Sequence, residues 1–199
     1  FLGMASDGKD SPIIETVLKE VPEKVALSSS NPDRDEWVKA MVDQVKGLTD
    51  QCVWTLVPPE QVPPNTKVLP GRWVLVVKYV NGAFEKLKAR WVVRGDMQKL
   101  GWSYTDAFAP VAHMDSVHVF FAYVASRKFA TVHVDFICAF SNSDIDMDGI
   151  YVRQPRGQEV PGKENWVCLL LKALYGLRQA PLLWHKDVIA LLKSVGFVP

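Results

Sequence analysis

A turn dipeptide between two strand-like segments constrains this chain more than any other feature. Residues 72–79 and 84–93 are rich in Val, Trp and Phe, and Asn81-Gly82 lies between them. Asn and Gly supply the positive φ angles that tight hairpin turns need. The sequence therefore predicts a long β-hairpin, around which the rest of the chain has to be arranged.

The same hairpin carries a concentrated positive charge. Residues 67–99 hold eight Lys and Arg side chains against two acidic ones, although the net charge of the chain is only +1. Lys88 and Arg90 lie two residues apart on one face of a strand, where they can act together on one polyanion. A solvated charged surface is the alternative explanation, and composition alone favours it.

The pattern of apolar residues predicts three helices. The first begins at the N-cap Asp33, and apolar side chains from Trp37 to Leu48 share one face. The second follows Pro110 and is predicted to be buried. The third is amphipathic, begins at Pro181 and ends at Gly196.

The remaining segments predict a tether, a connector and short strands. Residues 1–33 are Ser-, Asp- and Gly-rich and predict a mobile tether, with weak helical periodicity only from Ile13 to Val21. Four prolines between residues 58 and 64 predict an extended surface connector. Short strands are predicted at Tyr151-Val152 and from Trp166 to Leu171.

Asp135 is the sharpest single candidate for chemistry. It lies in a predicted strand, Thr131 to Phe136, within a segment that otherwise reads as buried. An acidic side chain there must be paired, hydrogen-bonded or bound to a metal, and a structural aspartate is the alternative. Asp144, Asp146 and Asp148 follow, but they lack the Gly and terminal Glu of a calcium loop, so we interpret them as solvated loop acids.

Cysteine usage and hydropathy indicate the compartment. Cys52, Cys138 and Cys168 are odd in number and widely spaced, which favours neither a disulfide framework nor a zinc site. No apolar run approaches the roughly 18 residues of a membrane span. We therefore expect an intracellular protein that does not bind a membrane.

Seven segments, in order along the chain, together form a recognisable pattern. They are Glu36 to Met41, Trp54 to Pro58, Arg72 to Val74, Lys88 to Gly95, Ala107 to Val111, Val134 to Phe140 and Leu174 to Trp184. This ordered set resembles the reverse transcriptase domain of copia-type LTR retrotransposons over roughly residues 35–199. The order makes the resemblance far more specific than any one motif.

The resemblance implies an α+β fold in which right-hand polymerase fingers, with the long hairpin, are followed by an incomplete palm. The implied division is a flexible acidic leader at 1–34, fingers with the basic hairpin at 35–108, the first part of the palm at 109–141, the second part of the fingers at 142–180 and a truncated palm helix at 181–199.

The resemblance also implies the site residues. Asp135 matches the first metal-binding carboxylate of the palm, which holds magnesium on the incoming triphosphate. Lys88 and Arg90 match basic side chains that meet this triphosphate, Phe140 matches the aromatic residue that excludes a ribose 2′-hydroxyl, and Gln179 matches a glutamine that contacts the nucleotide. The implied partners are a dNTP and an RNA or DNA template-primer.

The sequence also departs from the family. The family completes its site with a downstream Tyr-x-Asp-Asp motif, which these 199 residues do not contain. Ser141-Asn142-Ser143 stands where Leu-Asn-Gly is usual, and His118 where Arg is common. We therefore expect a fragment of an RNA-directed DNA polymerase that is inactive alone, in a cytoplasmic retroelement particle or the nucleus. The alternative is a non-catalytic module that binds nucleic acid or protein, with a homo-oligomer formed through exposed palm surface.

Overall fold

The structure, a computed structural model, describes residues 15–101, 103–132 and 134–197. Its strands and α-helices are β1 (Thr16–Val21), α1 (Glu23–Ala26), α2 (Arg34–Asp50), β2 (Trp54–Val57), β3 (Gly71–Val80), β4 (Ala83–Val93), α3 (Met114–Arg127), β5 (Tyr151–Arg153), β6 (Val167–Leu170) and α4 (Ala180–Ser194). The described strands form antiparallel sheets with helices between them, which agrees with the α+β class. The division into polymerase fingers and palm stays a prediction.

The predicted hairpin is confirmed. β3 and β4 pair antiparallel along their length, and the turn residues Asn81 and Gly82 have φ angles of 51° and 78°. On the buried face Trp73 lies opposite Trp91, with ring centroids 5.2 Å apart in an edge-to-face arrangement. Local turn chemistry and a buried aromatic pair therefore fix the register together.

The predicted mobile leader is wrong for residues 16–21. This segment is the strand β1, which pairs antiparallel with β3 and gives the sheet order β1-β3-β4. Backbone hydrogen bonds continue past the strand, because the Asn81 N–H donates to the Glu15 carbonyl and the Glu15 N–H donates to Asn81 Oδ1. The side chains of Thr16 to Glu20 are exposed, so ladder pairing rather than burial selects the strand. Residues 1–14 of the predicted leader lie outside the described residues.

The first predicted helix, α2, is confirmed and covers the hairpin. Trp37, Met41 and Leu48 are buried and belong to the same core as the paired tryptophans. α2 contacts β4 directly. Asp33 stands at the N-cap position but its side chain makes no capping hydrogen bond. Burial of the apolar stripe therefore holds this helix in place more than its cap does.

A second sheet, in the order β2-β6-β5, is tied to the base of the hairpin. The Leu69 N–H donates to the Tyr151 carbonyl at 2.8 Å, and the Arg153 N–H donates to the Leu69 carbonyl at 2.9 Å. β5 and β6 confirm the predicted short strands. The proline-rich connector ahead of Leu69 lies at the surface as predicted, with Pro59, Pro63 and Pro64 exposed.

The helix after Pro110 exists but is not buried. No residue of α3 is buried, and the exposed fractions of Phe120 and Phe121 are both 54%. The large apolar side chains exposed around it form what we call the exposed apolar segment: Phe108, Val111, Met114, Val119, Phe120, Phe121, Tyr123, Phe129, Val132, Val134, Phe136 and Ile137. Periodicity predicts a helix correctly, whereas burial depends on what lies beside it.

The predicted strand from Thr131 to Phe136 is not a strand among the described residues. Both described sheets are composed of other segments, so this alternating sequence has no ladder partner there. His133 lies outside the described residues. The alternating pattern therefore marks an amphipathic segment that is not paired in either described sheet.

The last predicted helix, α4, is confirmed, and Gly196 follows it with a φ of 94°. α4 contacts the 3-10 helix Ala139–Asn142. The ring of Trp184 lies edge-to-face on Phe136, with centroids 5.0 Å apart. These contacts position the segment that contains Asp135 and Phe140. No helix among residues 15–101, 103–132 and 134–197 is long and apolar enough to span a bilayer.

Candidate functional site

Five cationic side chains lie on one face of the hairpin. Arg72 lies at its base, and we call the four that are closer to the turn the basic face: Lys78, Lys86, Lys88 and Arg90. The strand register places Lys78 opposite Lys86, while Lys88 and Arg90 lie opposite valines of β3. The buried tryptophans project from the other face, because side chains alternate along a strand. The alternation seen in the sequence therefore separates a core face from a cationic face.

Lys88 and Arg90, the two cations of the basic face that lie farther from the turn, lack counter-charges among the described residues. Near the turn, Lys78 Nζ lies 2.6 Å from a Glu85 carboxylate oxygen, and the hydrogen bond from Lys78 is the main reason that the pKa of Glu85 is lowered. No carboxylate among the described residues lies within ion-pair distance of Lys88 or Arg90. These two cations are therefore the pair best placed to receive an anion.

Lys88 is held in an environment that disfavours its own charge. Burial lowers the pKa of Lys88, and the positive charges of Arg90, Lys86 and Lys78 lower it further, in that order. The Cys138 side chain is near enough to act in the opposite direction. An anion bound beside Lys88 would relieve this repulsion, so the electrostatics favour a ligand of negative charge.

Aromatic side chains from two other segments close the site on one side. Cys138 has a left-handed φ of 53° and begins the 3-10 helix that holds Phe140. The ring of Phe140 lies 4.8 Å from the ring of Tyr175, centroid to centroid, at an interplanar angle of 61°. The Arg90 guanidinium carbon lies 5.9 Å from the centroid of Tyr175. The structure thus brings together three of the predicted residues, Lys88, Arg90 and Phe140.

The loop that carries Tyr175 docks on the end of β4. The Val93 N–H donates to the Tyr175 carbonyl at 2.8 Å. Gly176 has a φ of 93°, and a Cβ there would overlap the Val93 carbonyl oxygen. A Cβ at Gly95 would likewise overlap the Gly176 carbonyl oxygen. The two glycines allow the backbones to approach, and this approach places Tyr175 beside Arg90.

Gln179 is in the interior and not with the other predicted nucleotide-binding residues. Its side chain is fully buried. Its Oε1 accepts from Gln98 Nε2 at 3.0 Å, and its Nε2 donates to the Ser103 carbonyl at 2.9 Å. Gln98 Oε1 also accepts from the Arg178 N–H at 2.8 Å. A direct contact with a nucleotide stays a prediction, and it would require this paired amide to change partners.

Asp135 is exposed, rather than buried as its sequence context predicted. The described residues contain no cluster of three or more His, Cys, Asp or Glu side chains suited to a metal ion. An exposed carboxylate suits magnesium as one ligand, because this ion is often held by one or two carboxylates with substrate phosphates and water. One carboxylate does not complete a two-metal site, so we derive no metal-dependent step from this chain. Asp144, Asp146 and Asp148 are exposed loop acids, as predicted.

Sequence reasoning missed Tyr175. It lies in the motif segment Leu174 to Trp184, in which the resemblance assigns a role to Gln179 alone. The sequence feature that could have identified it is the aromatic residue directly before Gly176, because a glycine in such a loop often permits a close backbone contact. The resulting site combines unpaired cations with two aromatic rings, which suits a ligand that carries both phosphates and a ring.

The comparisons with known proteins define the class. A family model described as reverse transcriptase (RNA-dependent DNA polymerase) matches residues 51–199, well over half of the chain. No solved structure matches the chain significantly. The chain belongs to the reverse transcriptase family.

Curated relatives narrow this assignment to copia-type retrotransposons. The chain is 33% identical over 178 residues to the retrovirus-related Pol polyprotein from transposon TNT 1-94 of Nicotiana tabacum. The matched region is 89% of this chain and 13% of that protein. It is 32% identical over 176 residues to the Pol polyprotein from transposon RE2 of Arabidopsis thaliana, covering 88% of this chain and 12% of that protein. The chain thus corresponds to a small part of each relative and is a reverse transcriptase segment of a copia-type polyprotein.

Proposed function

We propose that this chain supplies the nucleotide-binding part of an RNA-directed DNA polymerase. In the complete reaction the 3′-hydroxyl of a primer attacks the α-phosphate of a dNTP, a phosphodiester bond forms and pyrophosphate leaves. Family membership supports this reaction class. The observation that carries the proposal is the convergence of Lys88 and Arg90 with the turn that holds Phe140.

Each residue of the site has a proposed role. Lys88 and Arg90 bind the triphosphate, Arg90 through the fixed fork of its guanidinium. Phe140 lies against the sugar and excludes a 2′-hydroxyl. Asp135 supplies one carboxylate to magnesium, which in a complete polymerase neutralises charge that develops on the phosphates. Gln179 acts from the interior, where its hydrogen bonds hold the loop that presents Tyr175.

The template-primer is the proposed macromolecular partner, bound mainly through its backbone phosphates with little sequence preference. The uncompensated cations of the basic face support an affinity for polyanions. A cytoplasmic retroelement particle or the nucleus is the proposed location, because template and primer are found there.

Nucleotide binding tests the proposal without requiring catalysis. Equilibrium dialysis with radiolabelled dATP at low salt should detect binding, and Lys88→Ala with Arg90→Ala should weaken it about tenfold or more, because hydrogen bonds to charged groups are worth roughly 1.5–3 kcal/mol each. Lys99→Ala is the matched control, since Lys99 is an exposed cation outside the basic face. Equal binding by the double variant and the wild type would contradict the proposal.

Primer extension tests the expected inactivity. With a homopolymer template and magnesium or manganese, these 199 residues should incorporate no nucleotide, because they contain one of the carboxylates that the resemblance implies and no Tyr-x-Asp-Asp. Incorporation that Asp135→Ala abolishes would instead show that the chain is a polymerase as it stands.

The exposed apolar segment favours a second candidate function, a non-catalytic binding module. Its side chains include Phe120, Phe121 and Ile137, with exposed fractions of 54% to 84%. Such surface is typical of protein contact sites. A gel shift with single- and double-stranded nucleic acid at two salt concentrations separates the binding modes. A shift that weakens at the higher salt would indicate phosphate binding. No shift with either nucleic acid would favour a protein as the partner.

A further inference from the structure

Tyr175 is not among the residues that the resemblance assigns to the site, yet it contacts two that are. We infer that Tyr175 is a positioning residue that holds the Arg90 guanidinium in the orientation that binds phosphate. This inference rests on the proposed function of Arg90. It adds a third chain segment to the anion site, besides the hairpin and the turn at Cys138.

The ring of Tyr175 contacts the side chains of both Arg90 and Phe140. The guanidinium carbon of Arg90 lies 5.9 Å from the centroid of the tyrosine ring, within the range of cation–π attraction. Phe140 meets the same ring edge-to-face, with centroids 4.8 Å apart. Tyr175 is half-buried, and no hydrogen bond of its phenol is found among the described residues. Its ring, rather than its hydroxyl, is therefore the part that acts.

The backbone of Tyr175 is anchored to the strand that carries Arg90. The Val93 N–H donates to the Tyr175 carbonyl, and the next residue, Gly176, packs directly on the Val93 carbonyl. Arg90 and Val93 belong to the same strand, β4. The backbone contacts between this loop and β4 therefore fix the distance between the Tyr175 ring and the Arg90 guanidinium.

Orientation matters because arginine has many rotamers. A free Arg side chain loses conformational entropy when it binds an anion. Stacking on an aromatic face fixes the guanidinium plane and leaves N–H donors at its edge for a phosphate. Lys88 then supplies a second charge on the same strand face. Tyr175 thus prepares Arg90 for the ligand before the ligand arrives.

Tripolyphosphate is the test ligand, because it carries the charge of a nucleotide without a base or sugar. Isothermal titration at low salt should show that Tyr175→Leu weakens binding about threefold or more, the size expected for a lost cation–π contact, whereas Tyr175→Phe binds like the wild type. Arg90→Ala should weaken binding as well. The variant with both Tyr175→Leu and Arg90→Ala should bind no worse than Arg90→Ala alone, because the tyrosine acts through the arginine.

Tyr123→Leu is the matched control. Arg127 lies 5.7 Å from the Tyr123 ring in a similar contact on α3, so removal of this ring should leave tripolyphosphate binding unchanged. If Tyr175→Leu does not fold by circular dichroism, Tyr175→Met replaces it, since methionine fills space but has no aromatic face.

The outcomes separate the two claims. No binding by the wild type overturns the proposed function and this inference with it. Binding by the wild type with no loss in Tyr175→Leu overturns the inference alone. Additive losses in the double variant, or an equal loss in Tyr175→Phe, would also overturn it, because they assign Tyr175 a role independent of Arg90 or of its ring.

Discussion

At the scale of single residues, Lys88 shows how this fold accepts an unfavourable charge. The ammonium is partly withdrawn from water and surrounded by other cations, and both effects lower its pKa. Nearer the turn of the hairpin, by contrast, Lys78 is compensated by Glu85. Such uncompensated positions are typical of binding sites, where function opposes stability.

The charge of Lys88 should therefore destabilise the folded protein. We expect Lys88→Met to raise the free energy of unfolding at pH 7. At this pH the lysine is charged in the unfolded chain, and the folded environment disfavours that charge, as its lowered pKa shows. The unfolded state binds the proton more tightly, so wild-type stability rises as the pH passes through the folded-state pKa of Lys88 towards the ordinary lysine pKa of 10.5. The advantage of Lys88→Met should shrink over that range. Urea unfolding at several pH values measures it.

Lys99→Met is the control for this experiment. Lys99 is exposed and lies outside the basic face, so its replacement should change stability by less than about 0.5 kcal/mol at any of these pH values. An advantage of Lys88→Met that grows with pH would contradict the assignment of Lys88 to a charge-disfavouring site.

The three cysteines should differ in reactivity according to their positions. Cys52 is exposed, Cys138 is half-buried beside Lys88, and Cys168 is buried, with burial raising the pKa of its thiol to about 12. Iodoacetamide at pH 7.5 should therefore modify Cys52 and Cys138 in the folded chain but not Cys168, because the thiolate is the reactive form. Peptide mass spectrometry resolves the three sites.

A ligand adds a second arm to the alkylation experiment. Tripolyphosphate bound between Lys88 and Arg90 should slow the modification of Cys138 and leave that of Cys52 unchanged. Equal protection of both cysteines would indicate a general effect of the salt and not a bound ligand.

At the scale of elements, the contact between the hairpin end and the loop of Tyr175 organises the site. Gly95 and Gly176 permit this contact, and the amides of Gln98 and Gln179 close the interior behind it. The loop and the hairpin therefore behave as one unit.

Gly176→Ala should disrupt that unit. A Cβ at this position would overlap the Val93 carbonyl, and the φ of 93° strains any side chain, so we expect a loss of at least about 2 kcal/mol in the free energy of unfolding. Gly157→Ala is the matched control, since its φ is 76° but nothing lies within 4 Å of the added Cβ. Urea denaturation gives both values. Equal losses would mean that backbone strain, not close packing, explains the effect.

Elements with strong local signals could be predicted from the sequence, and those that depend on distant partners could not. The hairpin follows from Asn81-Gly82 and its flanking pattern, and α2 and α4 follow from their apolar spacing. β1 could not be predicted, because its order comes from pairing with β3. The exposure of α3 also escapes prediction, because the same apolar pattern serves a buried helix and one whose apolar side chains are exposed.

The candidate site divides in the same way. Lys88, Arg90 and Phe140 were identified through motif order, and the structure places them together. Tyr175 escaped because its role depends on a long-range docking that no local pattern reports. Gln179 was assigned from its motif alone, which carries no information about burial.

At the scale of the whole molecule, the apolar surface is unevenly distributed. The core lies among the hairpin, α2 and the second sheet, whereas no residue that the structure describes between 108 and 137 is buried, and this range holds the exposed apolar segment. Exposed apolar surface that is concentrated in one part of a chain is typical of association sites. A second copy of the chain offers the same apolar surface, which supports the homo-oligomer that we expect from the sequence.

We therefore expect concentration-dependent self-association that Phe120→Glu reduces. Phe120 has 54% of its surface exposed, so the charge should weaken association without unfolding the protein. Phe84→Glu is the control, because Phe84 is 57% exposed but lies at the hairpin turn. Sedimentation velocity at several concentrations gives the oligomeric state. A wild-type chain that stays monomeric throughout would contradict the expectation.

The docking of the loop on the hairpin also sets an order of folding. The hairpin closes through neighbouring residues and can form within microseconds, whereas the Gln98–Gln179 contact joins residues 81 positions apart and must wait for a large loop to close. By this criterion the cations of the basic face are assembled before the ring of Tyr175, 85 positions from Arg90 in the chain, docks beside them. During synthesis, the nascent chain therefore presents an unfinished anion site until the loop of Tyr175 has emerged from the ribosome.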